Sequence, residues 1–175
     1  MKQMEIIYWS VFENNQWPLH VAASSKGLCF VGTPGQGLVE LEAWVKKHRP
    51  TSQLMKDNRI LDPYISELRE YLEGTRTSFA MPVDTKGTPF QQTIWDALKE
   101  IPYGRTVTYS DIADRIGKPS AVRAVGSAIG ANPVMITIPC HRVIGKNGTL
   151  TGFRGGIEMK KFLLEHEHTF SAVHQ

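Results

Sequence analysis

The apolar residues of this chain follow two different spacings, and the change between them divides the sequence near residue 87. In the first half they alternate with polar residues through 6–12, 19–21 and 28–30, which predicts antiparallel strands. Two stretches after these strands, 37–48 and 62–73, have the spacing of amphipathic helices. A chain with this pattern folds as a small sheet covered by helices.

A turn-rich segment at residues 84–89 separates this region from one in which the apolar spacing is helical. We therefore predict an N-terminal α+β domain at residues 1–87, with a small antiparallel sheet and helices. A second, α-helical domain is predicted at residues 88–175.

The second domain begins with a pattern typical of a winged helix-turn-helix. Residues 90–101 form one amphipathic helix, for which Thr88 is the expected cap and Pro89 the first turn. Residues 110–116 form a short helix that begins near Thr108 or Tyr109 and ends at Gly117. A further helix at 119–131 follows after about three residues, which is the helix-turn-helix spacing.

Charge is distributed unevenly between the two domains. Residues 1–87 contain ten basic and ten acidic side chains, whereas residues 88–175 contain ten and seven and so carry the whole net charge of +3. Seven basic residues within 101–156 outnumber two acidic ones, Asp111 and Asp114. The basic residues are Arg105, Arg115, Lys118, Arg123, Arg142, Lys146 and Arg154. This excess fits a footprint on phosphates, and a merely solvated face is the alternative.

The helix at 119–131 has one apolar face and one face of small residues. At 3.6 residues per turn Val122, Val125 and Ile129 fall together and form the expected buried face. The opposite side presents Arg123, Ala124, Ser127, Gly130 and Ala131. Such a surface offers little direct base readout but approaches the sugar-phosphate backbone closely, as minor-groove binding requires. Packing against another helix through the alanines is the alternative.

A potential nucleophile follows in the run from Ile138 to Val143. Cys140 is one of two cysteines, the other being Cys29, and a free cysteine is otherwise most often a buried, inert residue. Pro139 stiffens the end of an apolar segment, 135–138, that we predict to be a short strand. In an extended chain Cys140 and His141 would point to opposite sides, so we expect a bridging water rather than a direct hydrogen bond.

These motifs together resemble the O6-alkylguanine-DNA alkyltransferases. The resemblance covers roughly residues 88–168 and rests on the Cys140 run and on four groups of residues at matching positions. The four groups are Pro102-Tyr103-Gly104 with Tyr109, Arg123 with Ala131-Asn132-Pro133, Gly155-Gly156, and Leu163-Leu164 with Glu167.

The resemblance implies a DNA repair protein that binds double-stranded DNA and flips an O6-alkylguanine, or an O4-alkylthymine, out of the duplex. The alkyl group would pass irreversibly to Cys140, once per molecule, without a cofactor or a metal. Because the resulting thioether is not hydrolysed by water, the protein would be spent.

The resemblance also assigns roles to individual residues. His141 and Glu167 would serve as base and orienting acid, Tyr109 would rotate the nucleotide outward and contact it, and Arg123 would fill the space that the base leaves. Tyr109 is also our candidate donor of a proton to the leaving guanine. Asn132 would brace the turn before the cysteine, and the guanine pocket would be lined by Val143, Phe153, Arg154 and Gly155.

Two positions differ from the pattern of this family. Phe153 stands where many relatives have a tyrosine, and Arg154 stands where a smaller residue is common. No zinc-binding cysteine set precedes residue 88, so the larger regulators fused to such a domain do not match.

The sequence also bears on where the protein acts and on which alternatives remain. There is no apolar stretch long enough to span a membrane and no secretory signal pattern, so we expect a cytoplasmic protein, and we expect a monomer. Three alternatives remain open: a DNA-binding regulator with an incidental cysteine, a cysteine hydrolase, and an alkyltransferase-like lesion binder. The third usually lacks the cysteine.

Overall fold

The computed structural model describes residues 3–172, which divide into two compact units. Residues up to Lys86 form one unit and residues from Gly87 onward form the other. The first is a sheet with helices and the second is largely helical, so the predicted α+β class is confirmed. No helix within residues 3–172 has both the length and the apolar composition required to cross a lipid bilayer.

The first unit contains a four-stranded sheet and two helices. Its elements are β1 (Ile6–Phe12), β2 (Leu19–Ser24), β3 (Gly27–Val31), α1 (Gly37–His48), β4 (Gln53–Lys56) and α2 (Asn58–Leu72). The strand order is β3-β2-β1-β4, and the first three strands are antiparallel, as the alternating pattern predicts. Buried apolar residues of the sheet, including Ile7, Ala22 and Phe30, pack against Leu41 and Val45 of α1.

Two expectations for this unit are corrected. The sheet is mixed rather than purely antiparallel, because α1 carries the chain back so that β4 pairs in parallel with β1. The second helix begins at Asn58 instead of residue 62, since the Asp57 side chain accepts a hydrogen bond from the Ile60 N–H and caps it. Pro63 therefore lies inside the helix rather than in its first turn.

A buried arginine of the first unit holds the start of the turn-rich segment at residues 84–89. Arg49 is 3% exposed and donates to an Asp84 carboxylate oxygen at 3.1 Å and to the Asp84 carbonyl at 2.9 Å. Glu5 accepts a further hydrogen bond from Arg49 at 3.1 Å. Asp84 therefore holds a fixed position, although the sequence around it is rich in turn-forming residues.

The second unit contains four helices and two very short strands. Its elements are α3 (Pro89–Lys99), β5 (Val107–Thr108), α4 (Tyr109–Arg115), α5 (Val122–Gly130), a 3-10 turn (Cys140–Arg142), β6 (Val143–Ile144) and α6 (Ile157–Ser171). The parallel pair β5 and β6 was not predicted, and it places the start of α4 beside the segment that follows Cys140.

Local capping explains where α3 and α4 begin. Thr88 accepts from the Gln91 N–H, and the Gln91 side chain accepts from the Thr88 N–H. Thr108 and Asp111 make the same reciprocal pair at the start of α4. Each arrangement is a capping box, which satisfies backbone N–H groups that the helix itself leaves without partners.

The second helix of the helix-turn-helix is shorter than predicted. It begins at Val122 rather than at residue 119, because the Ala121 N–H donates to the Lys118 carbonyl and closes a turn. The connection between α4 and α5 is therefore the six residues 116–121, longer than the three expected. Of the predicted apolar face, Val125 and Ile129 are buried and Val122 is half-buried. The Trp95 indole N–H donates to the Ala128 carbonyl at 2.9 Å.

The predicted strand at 135–138 is wrong. Residues 134–138 instead form a tight turn in which the Ile138 N–H donates to the Val134 carbonyl at 2.9 Å. Ile136 has a φ of 74°, which is a strained conformation for a β-branched residue. The segment is buried, as its apolar composition requires, but its hydrogen bonds are local rather than those of a sheet.

Candidate active site

Cys140 lies at the start of a 3-10 turn and lines a small cavity. The cysteine is 6% exposed, and the cavity has a volume of about 10 Å³. The side chains and backbone around it are those of Ile129, Gly130, Asn132, Met135, Cys140, Gly152, Phe153 and Arg154. A cavity of this size accommodates about one water molecule.

His141 and Glu167 form a buried pair next to the cysteine. His141 is fully buried, and its Nε2 lies 2.6 Å from Glu167 Oε2. Since the carboxylate accepts, the proton of the neutral ring resides on Nε2 and the Nδ1 lone pair is left as the acceptor. This Nδ1 is buried and has no hydrogen-bond partner among residues 3–172. The ring therefore has the tautomer of a general base.

The side chains of Cys140 and His141 point apart for a different reason from the one that we predicted. We expected the two side chains to diverge because the chain would be extended, but both residues belong to a 3-10 turn. Successive side chains of such a turn are about 120° apart, given three residues per turn. A direct bond from the thiol to Nδ1 does not form within the described part of the chain, since Nδ1 has no partner there.

Besides His141, three N–H donors from two residues hold Glu167. Arg142 donates from Nε at 2.8 Å to one carboxylate oxygen and from Nη2 at 3.0 Å to the other. The Gly104 N–H donates at 3.0 Å. Burial alone would raise the pKa of Glu167, but the hydrogen bonds and the positive charge of Arg142 outweigh it and hold that pKa well below its usual range. Glu167 is therefore an ionised carboxylate at neutral pH.

Arg142 consequently does not belong to the basic surface to which its charge was assigned. It is 6% exposed, and its Nη1 donates to the Ile101 carbonyl at 2.7 Å. Its charge is directed at Glu167 rather than at solvent. The basic side chains of 101–156 that do lie exposed are Arg105, Arg115, Lys118, Arg123 and Lys146.

The Cys140 thiol is protonated at rest. Burial raises its pKa, while a hydrogen bond with the Asn132 side chain and the positive charges of Arg154 and Lys160 act in the opposite direction. Burial also lowers the pKa of His141, so its ring is neutral. A neutral imidazole and a neutral thiol are the resting forms from which a base generates a thiolate.

Asn132 braces the turn that precedes the cysteine. Its side-chain amide donates to the Ile138 carbonyl at 2.9 Å, and its side-chain oxygen accepts from the Val134 N–H at 3.0 Å. It is 2% exposed. Both ends of the amide are thus used to hold the strained turn around Ile136.

Tyr109 is the first residue of α4 and reaches the loop that follows β6. Its hydroxyl lies 2.6 Å from the Thr151 hydroxyl, and its ring lies beside Gly126 of α5. The pairing of β5 with β6 brings the tyrosine to this position. Tyr109 is not among the residues that line the cysteine cavity as it stands.

The residues expected to contact DNA share one exposed face of α5 and its end. Arg123, Ala124, Ser127 and Ala131 are all exposed, whereas Val125, Ala128 and Ile129 are buried. Arg123 makes no hydrogen bond or ion pair with any other residue in 3–172. Its guanidinium is therefore available on the side of α5 that faces solvent.

Two of the four predicted pocket residues line the cavity and two do not. Phe153 and Arg154 line the cavity with Cys140. Val143 is fully buried and is not among the lining residues, and its carbonyl accepts from the Lys160 ammonium at 2.7 Å. Gly155 packs closely, because an added Cβ would lie 2.7 Å from a ring carbon of Phe153 and 2.8 Å from the Met159 sulfur, and these side chains would have to shift.

Sequence reasoning missed the structural roles of Lys160, Gly104 and Arg142. Lys160 is 1% exposed and is surrounded by carbonyls. A signal for it exists, because Lys160 and Glu167 fall in the same helical period as the buried Met159 and Leu163. A charged residue in the apolar period of a helix has a buried partner. Within residues 3–172 no group of three or more His, Cys, Asp or Glu side chains is arranged to hold a metal ion.

Comparison with known proteins identifies the class to which this fold and this cysteine site belong. The family described as 6-O-methylguanine DNA methyltransferase, ribonuclease-like domain, matches residues 7–85, and its DNA binding domain matches residues 89–169. The inducible methylated-DNA–protein-cysteine methyltransferase of Bacillus subtilis is 54% identical over 166 residues, which are 95% of this chain and 93% of that protein.

Solved structures agree with the sequence matches. The crystal structure of Mycobacterium tuberculosis O6-methylguanine methyltransferase has a TM-score of 0.78 and 37% identity, and the match covers 93% of both chains. Mycobacterium tuberculosis OGT in complex with DNA has a TM-score of 0.77 and 36% identity, with 94% of both chains covered. The chain belongs to the methylated-DNA–protein-cysteine methyltransferase family, as its motifs predict.

Proposed function

We propose that this protein repairs DNA by transferring an alkyl group from the O6 atom of guanine to its own Cys140, once per molecule. Family membership supports this, as does the solved relative in complex with DNA. The observation that carries the proposal is the 2.6 Å contact between His141 and Glu167 beside a buried cysteine. In this proposal residues 88–175 are the DNA-binding and alkyltransferase domain.

The chemistry begins with removal of the thiol proton. His141 Nδ1 takes the proton of Cys140 through a bridging water, and the ionised Glu167 stabilises the imidazolium that forms. The thiolate sulfur then bonds to the alkyl carbon as the bond from that carbon to O6 breaks. The guanine leaves as an anion and takes up a proton, and the sulfur is left as a thioether.

Tyr109 is the proposed donor of that proton and a contact for the flipped base. Its hydroxyl is 2.6 Å from the Thr151 hydroxyl, so it is already oriented toward the loop that borders the cavity. The Asn132 side chain helps to hold the thiol in place through its hydrogen bond with Cys140. A guanine or an O4-alkylthymine would lie between the two.

DNA contact is assigned to the exposed face of α5. Ala124, Ser127 and Ala131 are small enough for the helix to approach the backbone closely, and Arg123 is the side chain that would replace the flipped nucleotide in the stack. Binding in this form is independent of base sequence, because the face offers few groups for reading base edges.

Admission of a base requires the loop over the cysteine to move. The cavity of about 10 Å³ holds no more than a water molecule. The loop at residues 152–155 covers it and ends at Gly156, whose φ of 96° is accessible to glycine. Displacement of Phe153 and Arg154 around this glycine would open the pocket over Cys140. We further propose that the protein acts as a monomer in the cytoplasm.

The intact mass of the protein tests this proposal. Incubation with a duplex containing O6-methylguanine should add about 14 Da, the exchange of a hydrogen for a methyl group on the nucleophilic sulfur. Peptide mapping should locate the methyl group on Cys140. The Cys140→Ser variant should gain nothing, and Cys29→Ser is the matched control that should still react.

The same experiment separates the alternatives. Repeated turnover would identify a hydrolase, and unchanged mass with tight DNA binding would identify a regulator or a lesion binder. Either outcome contradicts the proposal.

A further inference from the structure

Arg154 is the single charged side chain among the described residues that line the cysteine cavity. The others are apolar or neutral: Ile129, Gly130, Asn132, Met135, Cys140, Gly152 and Phe153. The charge of Arg154 acts on Cys140 itself, because it opposes the increase in the pKa of the thiol that burial causes. A cation thus borders the position at which the alkyl carbon reacts.

Two of the contacts that the guanidinium makes are weak. Its Nη2 lies 3.2 Å from the Pro133 carbonyl oxygen and 3.4 Å from that of Asn132. Both distances are at or beyond the long end of the usual range for such bonds, and both acceptors are neutral. A carboxylate accepts shorter and stronger hydrogen bonds from an arginine than a carbonyl does. An anionic group in the cavity would therefore bond to Arg154 more strongly than either of these two carbonyls does.

The geometry of the displacement directs a substituent toward the cavity wall. The sulfur, the reacting carbon and O6 must be in line, so the other groups on that carbon project sideways. Whatever the substituent carries beyond its first carbon meets the side chains around Cys140, and Arg154 is one of them.

We propose that Arg154 is a specificity-determining residue that favours O6 substituents ending in a carboxylate, such as carboxymethyl, over neutral ones of equal size. The inference rests on the proposed function of Cys140. In the reaction the sulfur bonds to the methylene carbon while its bond to O6 breaks. His141 takes the thiol proton, Tyr109 gives a proton to the leaving guanine, and exchange with water restores both side chains, so that the protein keeps S-carboxymethylcysteine.

Three substrates separate charge from size. The full chain is given single-stranded oligonucleotides, which require no base flipping from a duplex, with O6-methyl-, O6-carboxymethyl- or O6-carbamoylmethylguanine. The carbamoylmethyl group is the neutral isostere of carboxymethyl. The transfer rate of each group is measured by the mass of the protein over time.

Four variants give the comparison. In Arg154→Ala and Arg154→Gln the ratio of the carboxymethyl rate to the carbamoylmethyl rate should fall about tenfold or more, as expected for loss of a hydrogen bond to a charged group. Arg154→Lys keeps the charge and should retain most of the ratio. Lys161→Ala removes an exposed cation of α6 and should leave the ratio unchanged.

The methyl substrate distinguishes two kinds of failure. If Arg154→Ala transfers methyl at a normal rate and the ratio does not change, Arg154 has no part in specificity. If all three substrates slow equally, the arginine supports the thiol or the fold, which also overturns the inference. If wild-type protein transfers none of the three groups, the proposed function itself fails, and this inference fails with it.

Discussion

Replacing Glu167 with glutamine should weaken both the fold and the reactivity of the cysteine. The carboxylate accepts from His141, from two nitrogens of Arg142 and from the Gly104 N–H, at distances of 2.6 to 3.0 Å. A glutamine of the same shape has one acceptor oxygen and one amide nitrogen, which cannot accept. Each oxygen serves two of these donors, so whichever oxygen the amide nitrogen replaces, two donors would face another donor in a site that is 1% exposed.

The size of the expected loss of stability follows from the burial of Arg142. Removing one partner of a buried ion pair destabilises a protein by about 3–5 kcal/mol, because the other charge stays buried without compensation. For a unit of this size the melting temperature should fall by roughly 10 °C or more. The exposed Glu165 on the same helix is the matched control, and Glu165→Gln should change the melting temperature by little.

Reactivity of the thiol is the second measurement. Glu167 fixes the tautomer in which Nδ1 of His141 is the acceptor, so its loss should raise the apparent pKa of Cys140. A rise of one unit lowers the thiolate fraction at neutral pH about tenfold. The rate of iodoacetamide modification of Cys140 is measured against pH in the wild type, in Glu167→Gln and in Glu165→Gln.

The melting temperature and the iodoacetamide profile together show whether Glu167 supports the fold, the reactivity of Cys140, or both. A lower melting temperature with an unchanged iodoacetamide profile would show that Glu167 only supports the fold. If neither quantity changed, our account of the buried pair would be refuted.

Three further results are expected. Arg123→Ala should slow repair of duplex DNA by about ten- to a thousandfold, since extruding a base costs a few kcal/mol, and should leave the reaction with free O6-benzylguanine unchanged; equal slowing would make it a residue of the fold. Burial raises the pKa of Cys29 to about 12. Between about pH 9 and 12 only the unfolded state loses this proton, so the stability of the folded protein falls over that range. Urea unfolding of Cys29→Ala should show a shallower decline of stability at alkaline pH, and an unchanged slope would contradict this. Lys160→Met should lower the free energy of unfolding by about 2 kcal/mol, because the Val143 and Thr151 carbonyls lose their buried donor; urea unfolding with an unchanged midpoint would refute this.

Stability should also depend on pH on the acid side. Burial lowers the pKa of His141, and the pKa of Glu167 is held low by its partners. Both groups bind protons more readily in the unfolded state, so their contribution is fully present above about pH 6.5 and is lost as pH falls below the ordinary His and Glu values.

Several features of this protein depend on residues that are close together in the chain, and these could be predicted from the sequence alone. The starts of α3 and α4 follow from Thr88 and Thr108, each of which bonds to a group three residues away. The exposed face of α5 follows from helical periodicity alone. The cysteine motif, together with the four groups of residues at matching positions across residues 88–168, was sufficient to identify the family, because that identification depends on order and spacing rather than on contacts.

Only the tertiary structure decided which distant groups meet. Arg142 counts as a surface cation in any sequence tally, yet it lies buried against Glu167, 25 positions along the chain. The parallel edge strand β4 depends on the return of α1, and the turn at Ile136 depends on the Asn132 amide and on burial on all sides. Burial and long-range pairing change the energy of a charge or a backbone angle by several kcal/mol, which exceeds any local propensity. For this reason the sequence determined which residues matter, and the fold determined what each of them contacts.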